Sequence, residues 1–174
     1  MLLKPQDTLL ALKYWSLNRA GQTVGVRTIA VDLGISPSEV SKGGKRLLTA
    51  HLAVERDGVM YAETGGLLEW LCYGVRYAYP QESVGYGRGL ATAWNCPLLN
   101  SEMIPPDPAL VWPVPGGQTE GALVKPIHDS IPHIAAQDSK LYPVLALLEA
   151  IRGGKPRELA IARKLLNELV KGQA

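Results

Sequence analysis

The sequence is short of the features that identify a protein at once. It holds only two cysteines, Cys72 in an apolar helix-like run and Cys96 beside Pro97, and their spacing does not suggest zinc. Charge of either sign is nearly balanced: 18 Lys and Arg against 16 Asp and Glu leave a formal net charge of +2, too mild to indicate a nucleic acid by itself. No apolar run reaches the roughly 18 residues of a membrane span. The start "MLLKPQDTLL" meets a proline and an aspartate too early for a secretory signal. No serine or cysteine nucleophile motif occurs. The expectation is a soluble, cytoplasmic protein without a membrane partner, a metal or a cofactor.

What is present is enough apolar residue, 47% of 174, to bury a core as one domain or two small ones. Composition shifts near Pro80, so three parts are expected. Residues 1–80 read as a winged helix-turn-helix with a following helix, 81–126 as a Gly/Pro-rich extended segment packed on the fold, and 127–174 as a helical region. The fold class is mainly α with a small β-hairpin, that is, α+β.

In the first part, Gln6 to Asn18 repeats apolar residues at helical intervals through Leu9, Leu12 and Leu17, widened by Leu10 and Tyr14. A second helix is predicted from Val26 to Leu33, ended by Gly34, a residue suited to a left-handed turn, after which Ile35 points inward. The third begins with Ser36 as cap, Pro37 at the first helical position and Glu39 three residues after the cap, the pattern of a capping box. Val40, Leu47 and Leu48 form its apolar side, while Ser38, Ser41, Lys42, Lys45 and Arg46 fall elsewhere around it. "HLAVERDGVMYAE" then reads as two strands joined by a tight turn at Arg56-Asp57-Gly58. Three helices and a hairpin in this order make a winged helix-turn-helix.

That arrangement would place the third helix in a DNA major groove. Ser36, Ser38 and Ser41 would donate to phosphates or base edges, and Lys42, Lys45 and Arg46 would neutralise phosphates. Arg56 at the hairpin tip would reach an adjacent minor groove, and Glu39 would accept from a cytosine amino group or serve only the cap. The bland alternative is a solvated face on a protein-binding module. Gly43-Gly44 inside the helix costs on the order of 1 kcal/mol per glycine relative to alanine, and allows close backbone approach or loosens the helix.

"TIAVDLGISPSEVSKGGKRLLTAHLA" resembles the helix-turn-helix of MarR-type winged-helix regulators over about the first 65 residues. In that family the helix after the turn enters the major groove and the wing touches the backbone, which implies Ser36 to Arg46 and Arg56 here. The Gly43-Gly44 pair and the short, weakly basic wing depart from it. Over nearly the whole chain, "LLEWLCYGVRYAYPQESVGYGRGLATAW", "VWPVPGGQTEGALVKPIH" and "LYPVLALLEAIRGGKPRELAIARKLL" are similar to an uncharacterised bacterial winged-helix family. Its members are described as transcriptional regulators, and some resemble the antitoxin half of toxin-antitoxin pairs. These resemblances imply a regulator, and with the reading of the residues the expectation is a sequence-specific DNA-binding transcriptional regulator, a repressor, with no catalysis; the alternative is an adaptor or antitoxin whose C-terminal half grips a partner protein.

Thr64 is expected to cap a helix from Gly66 to Tyr77 with an apolar face of Leu67, Leu68, Leu71 and Val75, able to brace the hairpin or to pair with its copy in a homodimer. "VGYGRGLATAW" lacks the lysine-serine pair and βαβ setting of a phosphate loop and reads as a turn, with Arg88 able to bind phosphate or carboxylate. The prolines from Cys96 to Pro126 argue against a central strand and for an extended segment anchored by Trp94, Leu110 and Trp112. His128, Asp129 and His133 invite a metal or proton-transfer reading, but Pro132 and a five-residue spacing argue for a structural or surface role. Two amphipathic helices follow, one opened by Asp138 or Ser139 and the other by Pro156, joined at Gly153-Gly154 and offering Lys155, Arg157, Arg163 and Lys164 on the surface.

Overall fold

The structure is a computed structural model that describes residues 2–99 and 101–172. The fold is α+β, and the chain divides into two compact units, Met1–Trp70 and Leu71–Ala174. The boundary inferred near Pro80 from composition falls inside the second unit.

In the first unit, α1 (Pro5–Arg19) is the central element: Leu9, Leu10, Ala11, Leu12, Tyr14 and Trp15 are all buried. α2 (Val26–Leu33) ends where predicted. Gly34 takes the left-handed conformation at φ 65, and the Ile35 amide reaches back to the Ala30 carbonyl at 3.0 Å, closing a Schellman-type turn. α3 (Pro37–Thr49) packs on both. Of its two glycines, Gly43 marks close approach: a Cβ there would lie 2.8 Å from Leu10 Cδ2 and 2.9 Å from Asp7 Oδ1.

Strands β1 (Ala53–Arg56) and β2 (Val59–Ala62) form an antiparallel hairpin in which Arg56 faces Val59. The two linking residues, Asp57 at φ 51 and Gly58 at φ 75, have the paired positive angles of the turn that matches strand twist. Asn18 ties the hairpin to α1, donating to the Met60 carbonyl at 3.1 Å and accepting from the Ala62 amide at 2.9 Å. α4 (Thr64–Glu69) follows, and here the expectation is corrected. Thr64 is the first helical residue and Glu63 is the cap, its carboxylate accepting from the Gly66 amide.

A π-helical turn, Trp70–Gly74, carries the chain across the boundary and leads into α5 (Val75–Ala78) of the second unit. A closed three-stranded sheet follows: β3 (Ser83–Ala91) runs antiparallel to both β4 (Leu110–Pro113) and β5 (Thr119–Val124), which are parallel to each other. This overturns two expectations. "VGYGRGLATAW" is not a turn but mostly a nine-residue strand, in which closure requires a glycine at position 89: a Cβ on Gly89 would overlap the Trp112 carbonyl. The proline-rich segment does contribute a strand with neighbours on both sides, because Pro108 and Pro115 lie outside it and Pro113 is its last residue, opposite Gly89, so that no proline interrupts Leu110 to Trp112. Trp94 and Trp112 are buried as expected, and Leu110 is half-buried.

α6 (Ile131–Gln137), α7 (Leu141–Gly153) and α8 (Pro156–Lys171) complete the unit. Lys140 holds the N-cap position of α7, and Asp138, two residues earlier, closes the helix start by accepting from the Lys140 and Leu141 amides at 2.9 and 3.1 Å. α8 is amphipathic as predicted, burying Leu159, Ala162, Leu166 and Val170. α7 is not: every residue from Pro143 to Arg152 is buried. Its two charged residues are satisfied internally. Glu149 accepts from Trp112 Nε1, Gln81 Nε2 and Arg152 at 2.9 Å, and Arg152 donates to the carbonyls of Tyr79, Pro80 and Lys125. A buried pair in which both carboxylate oxygens and all three guanidinium nitrogens are hydrogen-bonded avoids the desolvation penalty of an orphaned charge.

Candidate nucleic-acid interface

α3 presents a polar stripe at helical spacing. Ser38, Ser41, Lys42, Lys45 and Thr49 are exposed, as is Ser36 just before the helix, while Val40, Gly43 and Leu47 turn inward. Among the described residues no carboxylate lies within ion-pair distance of Lys42 or Lys45. Two ammonium groups on one helix face, without internal partners, give a local positive field that the mild net charge conceals.

The serines are not equivalent. Ser36 Oγ accepts from the Glu39 amide at 3.1 Å, which caps the helix and leaves its own hydrogen free to donate. Ser41 spends its hydrogen on the Pro37 carbonyl at 3.1 Å and so offers an outside group only lone pairs. Ser38 carries no such bond among the described residues and can do either.

Two residues grouped with this face from sequence belong elsewhere. Arg46 was expected to meet phosphate, but it points into the unit, its side chain 6% exposed, and forms a two-pronged ion pair with Asp7: Nε to Oδ2 and an Nη to Oδ1, both at 2.7 Å. The hydrogen bonds to Asp7 drive the guanidinium pKa further above its ordinary value. Glu39 receives Lys4 Nζ at 3.2 Å, Gln6 Nε2 at 3.1 Å and Arg46 at 3.4 Å. The Lys4 hydrogen bond first, with Gln6 and the nearby charges, holds its carboxyl below its ordinary pKa. The predicted capping box is therefore half formed, since this carboxylate clasps α1 to α3 while only the Ser36 half closes on the helix.

Nothing local in the sequence signals the Asp7–Arg46 pair. Its members stand 39 residues apart, and Asp7 reads as an ordinary first-turn acid on α1. The reach of the polar stripe to Thr49 was legible in principle from 3.6-residue spacing.

Arg56 is exposed at the end of the hairpin, its guanidinium 5.8 Å from the ring centre of Tyr61, which steadies the side chain without neutralising it. His128 Nδ1 lies 2.7 Å from Ser130 Oγ and accepts from the Ser130 amide at 3.3 Å, shaping the approach to α6. His133 is exposed. No helix among the described residues is long and apolar enough to cross a membrane. No protein family, curated protein or solved structure matches the chain.

Proposed function

We propose that the first unit is a winged helix-turn-helix that binds double-stranded DNA without catalysis, and that the protein is a transcriptional regulator acting as a repressor. The carrying observation is the exposed α3 stripe with its two unpaired lysines, held on a helix whose other face is locked to α1. Ser36 and Ser38 at the amino end would contact phosphates or base edges, Lys42 and Lys45 phosphates, and Arg56 on the hairpin the adjacent backbone or minor groove. Arg46 and Glu39 drop out of the contact set and become the brace that orients it. A homodimer reading two half-sites accords with the low affinity of one small domain, and the likeness to MarR-type regulators in residues 28–53 supports the same reading.

The test is a titration of duplex DNA from the region upstream of the protein's own gene, at several salt concentrations, against a random duplex. Specific binding should weaken with salt, and the logarithmic slope should shrink by about 0.9 for each of Lys42→Ala and Lys45→Ala. Arg56→Ala should weaken binding with little change in sequence preference. Equal affinity for both duplexes, or no effect of the lysine variants, would defeat the proposal and favour the adaptor reading.

A further inference from the structure

The second unit contains a half-open cleft of about 620 Å³ whose chemistry is independent of the α3 face. Its volume falls within the range of small-molecule sites. Four prolines line it, Pro97, Pro113, Pro115 and Pro132. Proline rings hold one backbone angle and carry no N–H, so these walls are apolar and have little freedom to lose when a ligand arrives. The floor is rigid for another reason: Gly89 and Gly117 both line it, and a Cβ on Gly117 would overlap the Gly89 backbone, so the two main chains are already in contact.

Among the polar groups on the wall, Tyr142 is already engaged, its hydroxyl donating to the Ala91 carbonyl at 2.5 Å. Gln118, Thr119 and His133 can accept hydrogen bonds. The carboxylate of Asp129 is different in kind. Among the described residues no lysine or arginine lines the cleft and no cation lies within ion-pair distance of Asp129. An apolar, pre-formed cavity whose one fixed charge is an unpaired carboxylate at its edge is complementary to a ligand with an apolar body and a cationic nitrogen.

We propose that this cleft binds a small organic cation, an amine whose hydrocarbon part lies between the prolines and whose ammonium group meets Asp129. A carboxylate accepts a charge-assisted hydrogen bond from such a group, while the proline walls displace water from its apolar part. An anion of the same shape would meet repulsion, and a neutral analogue would lose the charged contact.

The experiment uses the full chain at one pH near neutrality with three probes of matched shape: benzylamine, benzyl alcohol and benzoate. Affinity is read by calorimetry, and the site by amide chemical-shift changes. Benzylamine should bind tightest and benzoate weakest, with shifts concentrated at Leu90, Val114 and Ala136. Asp129→Asn should lower benzylamine affinity about tenfold and leave benzyl alcohol unchanged. Ala136→Trp, on an exposed position of α6 that lines the cleft, should abolish binding of all three while the unfolding transition persists. Asp129 also stands just before α6, where a carboxylate favours a helix start. If that were its whole role, Asp129→Asn would lower stability slightly and leave the order of the probes intact. That result, a preference for benzoate, or no binding by any probe would overturn the proposal.

Discussion

Arg46 shows how far one side chain's role depends on its rotation about a helix. Lys45 and Arg46 are neighbours in sequence, yet one ammonium stands in solvent while the next guanidinium is buried against Asp7. Removing one partner of a buried ion pair leaves an uncompensated charge, which costs about 3–5 kcal/mol. Arg46→Ala should therefore lower the urea midpoint of unfolding by that equivalent, whereas Lys45→Ala should stay within about 0.5 kcal/mol of wild type. A small effect of Arg46→Ala would return this residue to the surface set.

At the scale of elements, α3 carries two adjacent glycines with opposite surroundings. Alanine gains about 1 kcal/mol over glycine inside a helix if space allows. At Gly44 it does, since an added Cβ would sit 3.6 Å from Tyr14 Oη and 3.7 Å from Met60 Cε, ordinary contact distances. At Gly43 the added methyl meets Leu10 and the Asp7 carboxylate inside 3 Å, where neither neighbour can yield without disturbing the core or the ion pair. Gly44→Ala is expected to raise the thermal midpoint and Gly43→Ala to lower it, by about 1–3 kcal/mol equivalent for the latter. Both variants destabilising equally would mean that the α1–α3 approach is not set by this contact.

For the molecule as a whole, stability should fall on the acid side in two stages. Burial holds the His128 pKa below its ordinary 6.5, with Asp129 opposing, and the Nδ1 that accepts from Ser130 must be unprotonated. Folding thus favours neutral His128: its contribution is complete above pH 6.5 and declines as pH falls toward the depressed folded value. Glu39 has a pKa below its ordinary 4.5, so its contribution is present above that pH and disappears as pH drops further. Thermal melts from pH 8 to 3 should show both losses, and His128→Gln should remove only the earlier one. A flat profile between pH 7 and 5.5 would contradict the burial of His128.

The sequence alone determined what depends on near neighbours. Helix ends at Gly34 and Ser36, the two-residue turn at Asp57-Gly58 and the apolar stripe of α8 were legible because capping, positive backbone angles and 3.6-residue spacing act within a few residues. The exposed serine and lysine face of α3 was legible on the same ground. Only the tertiary structure decided that Arg46 turns inward to Asp7, that Glu39 clasps α1 rather than its own cap, and that α7 is buried all round with Glu149 and Arg152 inside. It also decided that a glycine- and proline-rich stretch closes into a sheet, because strand pairing joins residues as distant as Arg88 and Glu120. In each case the deciding partner lies dozens of residues away, and no local pattern records which distant group will arrive to satisfy a charge or a backbone amide.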